Sequence, residues 1–141
     1  MQAFLTQASD LAYVEGAYGV HRVLACASRL LRHMAGAGLA PLEDELKCLT
    51  DYLSICKARF GNRFYLQPFR ADGLFIERMH VIAFIDEHIS AERLLSNPDT
   101  EYHIDCEQRL SVSEGTKKMM LHVCVQERGD CVTISACDLP L

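Results

Sequence analysis

The chain has 141 residues, half of them apolar, and a net charge of −5. That size suits one domain with a single sizeable core. The acidic balance and the lack of any run of Lys or Arg exclude nucleic acid as a partner, because binding to phosphates needs a basic stripe. No stretch is long and apolar enough for a membrane helix, and the N-terminus lacks the pattern of a signal peptide. We therefore expect a cytoplasmic protein without membrane insertion.

Cysteine usage agrees with that compartment. The seven cysteines are an odd number and form no C-x-x-C pair, whereas secreted disulfide frameworks have even counts and loop-rich spacing. We expect reduced thiols, most of them buried.

Apolar residues at helical spacing predict two N-terminal helices. The first covers residues 3–14, and Gly16 and Gly19 interrupt the pattern, since glycine disfavours helix by about 1 kcal/mol relative to alanine. The second helix covers residues 20–35 and ends at Gly36, as glycine commonly does at a helix C-terminus.

A third helix, from Pro41 to Phe60, has the clearest end signals. Proline suits the first helical turn, and acidic residues follow it at the positive end of the helix dipole. Apolar residues then recur in alternating steps of four and three, which is typical of a seam between packed helices. We predict a dimer interface along this seam, and packing within the chain's own core is the alternative. The seam residues are Leu42, Leu46, Leu49, Leu53, Cys56 and Phe60.

After Asn62 the pattern changes to mixed helix and strand. Alternation over residues 64–69 predicts a strand, and Pro68 places it at a sheet edge, since proline cannot donate to a central ladder. Residues 74–95 are apolar nearly all round, as in a buried helix. A short strand over 102–106 and a hairpin of 118–126 with 131–137 follow.

The hairpin register decides which side chains face the core. A two-residue loop at Arg128 and Gly129 would pair Val125 with Val132 and Met119 with Asp138. That register collects the valines and isoleucines on one face and turns Asp138 toward the helices. The opposite face would carry His122, Cys124 and Cys131.

Four segments carry a resemblance to a known family. RLLRH at 29–33, LEDEL at 42–46, DYLSICKARF at 51–60 and NRFYL at 62–66 are similar to motifs of LytS/YehU-type sensor histidine kinases. The resemblance implies an α+β fold: a helical hairpin of the dimerisation type, then a partial GHKL-like α/β sandwich ending in an antiparallel hairpin. It divides one compact unit into a helical dimerisation-like region, 1–61, and a truncated GHKL ATPase-like region, 62–141.

The family's phosphoacceptor histidine opens the first helix. Ala3 stands at that position in this chain, and alanine has no nucleophile to phosphorylate. His21 and His33 are the nearest alternatives, but neither has the expected surroundings. We therefore predict no catalytic residue.

The family's nucleotide site is only partly represented. Asp86 and Glu87 stand where the family has Glu and Asn; carboxylates bind Mg²⁺ well, but the pair adds negative charge beside a triphosphate. Asp138 matches the adenine-binding aspartate, yet the glycines expected after it are replaced, and no sequence remains for the ATP lid. We expect that ATP and Mg²⁺ binding is lost and that no cofactor is present. A natural continuation beyond Leu141 would revive the enzyme interpretation.

Three functions follow from these observations. The first is a non-catalytic histidine-kinase-like scaffold that signals by association, as a homodimer or as a heterodimer with a related kinase. The alternative is a nucleotide- or small-ligand-binding fragment, with Asp86, Glu87 and Asp138 in a vestigial pocket. The third is a metal or redox site of His122, Cys124 and Cys131, although these lack the close-paired spacing of structural zinc sites.

Overall fold

The computed structural model describes residues 2–70, 73–129 and 131–141, with the side chains from Leu5 onward in those ranges. Five helices and six strands occur in this part of the chain. In order they are α1 Gln2–Val14, α2 Tyr18–Met34, β1 Leu39–Pro41, α3 Leu42–Phe60, β2 Phe64–Leu66, β3 Phe75–Glu77, α4 His80–His88, α5 Ala91–Ser96, β4 Glu101–Ser113, β5 Thr116–Arg128 and β6 Val132–Pro140.

The strands form one mixed sheet and one short ribbon. The sheet has the order β2-β4-β5-β6, with β2 parallel to β4 and the other pairs antiparallel. Strands β1 and β3 pair separately. The predicted α+β class is confirmed, and N-terminal helices followed by a mixed sheet agree with a partial GHKL-like fold.

The core lies between the sheet and the helices α3 and α4. Alternate residues of β4 and β5 face inward, and Ile104, Leu121 and Val123 are fully buried there. Helix α3 contributes Leu49, and α4 contributes Ile85. One apolar cluster therefore joins the helical half of the chain to the sheet.

Helix α3 ends where the sequence predicts and begins one residue later than predicted. Pro41 is the residue before its first turn, and Gly61 follows its last turn with a φ of 88°. This left-handed conformation favours glycine, which has no Cβ to clash with the carbonyl oxygen.

The two N-terminal helices are also confirmed, and each packs on the next helix. In α1, Ser9 contacts the imidazole of His21 in α2, with 2.8 Å between Oγ and Nδ1. In α2, Arg29 donates two hydrogen bonds, of 3.0 and 2.8 Å, to the carboxylate of Asp51 in α3. Among the described residues, no helix combines the length and apolar character needed to cross a bilayer.

The prediction of one buried helix over residues 74–95 is wrong. The segment contains β3, α4 and α5. Met79 adopts a left-handed conformation with a φ of 68° before α4, and Ile89 and Ser90 are extended between α4 and α5. The apolar residues of this segment follow one another without interruption, so their pattern does not show where one element ends and the next begins. Residues can be buried on several sides without forming a continuous helix.

Strand β4 is longer than the predicted strand over 102–106. Its ladder with β5 continues to the pair Ser113 and Thr116, well past the last buried residue of β4, Cys106. We call the section over residues 107–119 the β-arm. Its side chains are exposed on both faces.

The predicted register of the C-terminal hairpin is wrong by three residues. Arg128 pairs with Val132, and His122 pairs with Asp138, whereas the predicted register would pair Val125 with Val132. An odd shift exchanges the faces of β6. Val132 and Ile134 are consequently exposed, while Cys137, Leu139 and Leu141 pack against the core.

Candidate functional site

A buried ionic cluster joins α2, α3 and the start of α4. The carboxylate of Glu45 has no exposed surface, and it accepts hydrogen bonds of 3.0 and 3.1 Å from the backbone N–H of Met79. The Nε2 of His33 contacts the same carboxylate. Met79 is the residue before α4, so Glu45 supplies from another helix the acceptor that the glutamate of a capping box gives to this N–H.

Arg78 completes this cluster on the opposite side of the imidazole. Its Nη1 lies 3.3 Å from Nδ1 of His33. We assign the neutral tautomer to His33, with Nε2–H donating to Glu45 and Nδ1 accepting from Arg78, because an arginine N–H can only donate. Neither imidazole nitrogen is left free as a nucleophile.

Of the other candidate phosphoacceptor positions, His21 is bonded within the pair of N-terminal helices through its Nδ1. The Nδ1 of His21 lies 2.9 Å from the carbonyl oxygen of Ser9, and its ring packs against Tyr13. His21 therefore anchors α1 on α2. Ala3 lies in α1, but its side chain is outside the described part of the chain.

The three carboxylates of the predicted nucleotide pocket do not converge. Asp86 accepts a 2.6 Å hydrogen bond from the hydroxyl of Tyr52, which ties α4 to α3. Burial, followed by the hydrogen bond to Asp86, raises the pKa of Tyr52. Glu87 is exposed on α4, on the helix side of the sheet.

Asp138 lies on the other side of the sheet, which corrects its predicted orientation. It accepts a hydrogen bond from the imidazole of His122 on the outer face, with 2.7 Å between Oδ1 and Nδ1. The three-residue register shift is the cause. The predicted register placed Asp138 on the helix side, as expected for an adenine-binding aspartate. The observed register does not support that placement.

The predicted metal ligands are also separated by the sheet. His122 and Cys124 occupy the outer face of β5. The Sγ of Cys131 instead lies 3.5 Å from Nη2 of Arg93, on the helix side. No group of three or more His, Cys, Asp or Glu side chains within the described ranges is arranged to hold a metal ion.

All seven cysteines are free, and four of them are buried. Burial raises the pKa of the Cys48 thiol to about 11 and that of Cys106 to about 12. These thiols are therefore protonated at neutral pH, which is the unreactive form. Cys131 alone among the seven is exposed.

The predicted dimer seam is directed into the chain's own core. Leu42, Leu49, Leu53 and Cys56 are buried against the sheet and α4, while Leu46 and Phe60 are partly buried at its border. Side chains that are already covered offer no surface to a second chain. For these four buried residues the prediction of a dimer interface is wrong. They pack within the chain's own core, which was the alternative.

An apolar surface that the sequence analysis missed lies at the turn between α1 and α2. We call it the hairpin tip. Its side chains are between 55% and 81% exposed, and the rings of Tyr13 and Tyr18 contact each other edge to face at 5.5 Å. The glycines near this turn were the available sequence signal for the surface. Side chains beside a tight turn have few neighbours to bury them. The hairpin tip consists of Leu11, Tyr13, Val14, Tyr18 and Val20.

The helical part of the chain has a counterpart among known families. Residues 4–64 match the family model described as Histidine kinase. The matched stretch contains α1, α2, α3 and the start of β2, so over these elements the chain is similar to histidine kinases. No curated protein matches the chain.

Proposed function

We propose that this protein is a non-catalytic relative of the histidine kinase scaffold and that it acts in signalling by association through the hairpin tip. The observation that carries the proposal is the exposure of five large apolar side chains at one end of the matched helices. Exposed apolar clusters of this kind mark protein interaction sites.

The proposed partner is a second copy of the chain, and a related kinase with the same hairpin is the alternative partner. Glu15, in the turn after α1, and Arg22 on α2 are both exposed beside the tip. In a two-fold contact the same surface meets itself, so Glu15 of each copy would face Arg22 of the other. Such a polar rim around an apolar centre is the usual anatomy of an interface.

The non-catalytic part of the proposal rests on the positions of the family's reactive groups. Alanine occupies the phosphoacceptor position, and both ring nitrogens of His33 are engaged within the chain. Asp86 and Asp138 lie on opposite sides of the sheet, bonded to Tyr52 and His122. A nucleotide held by both carboxylates would require the sheet itself to rearrange.

Two measurements on the full chain test the proposal. Light scattering at tens of micromolar should give twice the 15.9 kDa mass of one chain. Incubation with Mg²⁺ and ATP labelled in its γ-phosphate should leave the protein unlabelled. A monomeric mass at every concentration would remove the self-association, and acid-labile label on the protein would remove the non-catalytic assignment.

A further inference from the structure

A small basic cleft opens between α2 and α3 beside the hairpin tip, with a volume of about 300 Å³. Gly19, which lies between the tip residues Tyr18 and Val20, forms part of its wall, so the cleft and the exposed apolar surface share a border. The charged residues of the wall are Arg22 from α2 and Lys57 from α3, and no Asp or Glu is among the described residues that line it. The cleft is therefore basic although the whole chain carries a net charge of −5.

Both cations of this cleft are unpaired. Neither the Arg22 guanidinium nor the Lys57 ammonium makes a hydrogen bond or an ion pair within the described part of the chain, and both side chains are exposed. Burial and then the hydrogen bond with Asp51 raise the pKa of the lining residue Cys26, but the Asp51 carboxylate already accepts two hydrogen bonds from Arg29. This neutral pair leaves the two cations of the cleft uncompensated.

Glu15 supplies a complementary unpaired charge on the same surface. It lies in the turn between α1 and α2, next to the tip residue Val14, and it is exposed. Its carboxylate makes no hydrogen bond or ion pair with the described residues of its own chain. Even with this negative charge counted, the two cations leave an excess of one positive charge beside the hairpin tip.

We propose that Glu15 of a second copy of this chain enters the cleft and accepts hydrogen bonds from Arg22 and Lys57 together. This contact rests on the proposed association through the hairpin tip, and it adds α3 to that interface. A two-fold arrangement forms the contact twice, because each copy offers its carboxylate to the cleft of the other. Arg22 lies one helical turn beyond Tyr18 on the same face of α2, which puts the cleft at the edge of the apolar contact.

Charge complementarity favours a second copy as the occupant of the cleft. When the apolar tips of two copies meet, Glu15 is carried into a contact that excludes water, where an unpaired carboxylate is unfavourable. The facing cleft provides two unpaired cations, so one interaction satisfies charged groups on both copies. A free anion in the cleft would leave Glu15 unpaired. Charge pairs of this kind fix the register of an interface, and like charges placed opposite each other act strongly against it.

Charge reversal on the full chain tests the contact by sedimentation equilibrium. Glu15→Lys, and separately Arg22→Glu combined with Lys57→Glu, should each weaken the dimer about tenfold or more, because like charges then face each other twice. An equimolar mixture of the two variants should regain the mass of a dimer at the concentration at which the unmodified protein dimerises, since each contact of the heterodimer again joins opposite charges. Lys117→Glu combined with Lys118→Glu on the β-arm is the matched control and should dimerise normally.

All the substituted side chains are exposed, so the core stays intact, and circular dichroism should show the same helical content in every variant. A monomeric unmodified protein would remove the proposed association and this contact with it. A normal dimer of the unmodified protein that neither variant weakens, or a mixture that stays monomeric, would overturn the Glu15 contact alone. Equal weakening by the control on the β-arm would also overturn it, because the effect would then follow from net charge.

Discussion

At the residue scale, the environment of Glu45 departs furthest from what its side chain prefers. An ionised carboxylate without exposed surface is unfavourable by several kcal/mol unless charged or polar partners surround it. Here the partners are the Met79 N–H and the His33 imidazole, so the carboxylate bonds to parts of two other elements. This one side chain fixes how α2, α3 and α4 meet.

Replacing Glu45 by alanine should lower the free energy of unfolding by about 3 kcal/mol, because two donors lose their buried acceptor. Urea denaturation measures the change. Glu43→Ala is the matched control: two residues earlier in α3, Glu43 is exposed and pairs with Lys47 at the surface, so its loss should change stability by less than about 1 kcal/mol. Equal effects of the two substitutions would contradict the role of Glu45.

The buried thiol of Cys106 makes stability depend on alkaline pH. Its folded pKa is about 12, raised from 9.0 chiefly by burial. Above pH 9 the unfolded chain releases this proton and the folded chain keeps it, so stability falls as the pH rises from 9 toward 12. The slope for one such thiol approaches about 1.4 kcal/mol per pH unit.

Urea titrations at pH 8 and pH 10.5 measure this slope. Cys106→Ala should reduce the loss of stability between the two pH values by about 2 kcal/mol, while exposed Cys131→Ala should leave it unaltered. If Cys106→Ala and the unmodified protein lost the same stability, ionisation of this thiol would not be the cause.

At the element scale, local signals predicted α3 well and the register of β6 poorly. Pro41, the acidic first turn and Gly61 act within a few residues of the helix ends, so the sequence displays them directly. The register depended on which residue begins β6, and no local feature near Gly129 decided that. The face of Asp138, and with it the candidate site, changed because of that single ambiguity.

The junction around Glu45 could not be predicted either, for a different reason. His33 and Glu45 are 12 positions apart, and Met79 lies 34 positions beyond Glu45. Contacts of that separation depend on how the helices pack. In the sequence, Glu45 is indistinguishable from its exposed neighbours Glu43 and Asp44, and it was assigned only a favourable interaction with the helix dipole.

The β-arm should be the least stable part of the sheet. A two-stranded ribbon with both faces in water is only marginally stable, and the exposed Leu110 and Val112 lie on the face that continues from the core. Backbone amides of residues 109–119 that bond across the ribbon should therefore exchange with deuterium much faster than those of residues 121–125. Hydrogen exchange with mass spectrometry measures both, and equal protection would indicate that another surface covers the β-arm.

At the scale of the whole molecule, one core unites the two halves of the chain. The apolar seam of α3 packs against the sheet, so most of its side chains are covered within the chain. The large apolar side chains of α1 and α2 are exposed at the hairpin tip. The proposed association surface therefore lies at the turn between the first two helices and not on α3.

Sedimentation equilibrium of the full chain and two variants tests that surface most directly. The unmodified protein should dimerise at tens of micromolar, and Val14→Glu combined with Tyr18→Glu should weaken the dimer at least a hundredfold while the helical content stays the same. Leu95→Glu on α5, an equally exposed apolar residue, is the control and should dimerise normally. A dimer constant unaffected by the two substitutions at the hairpin tip, or weakened equally by Leu95→Glu, would contradict the account.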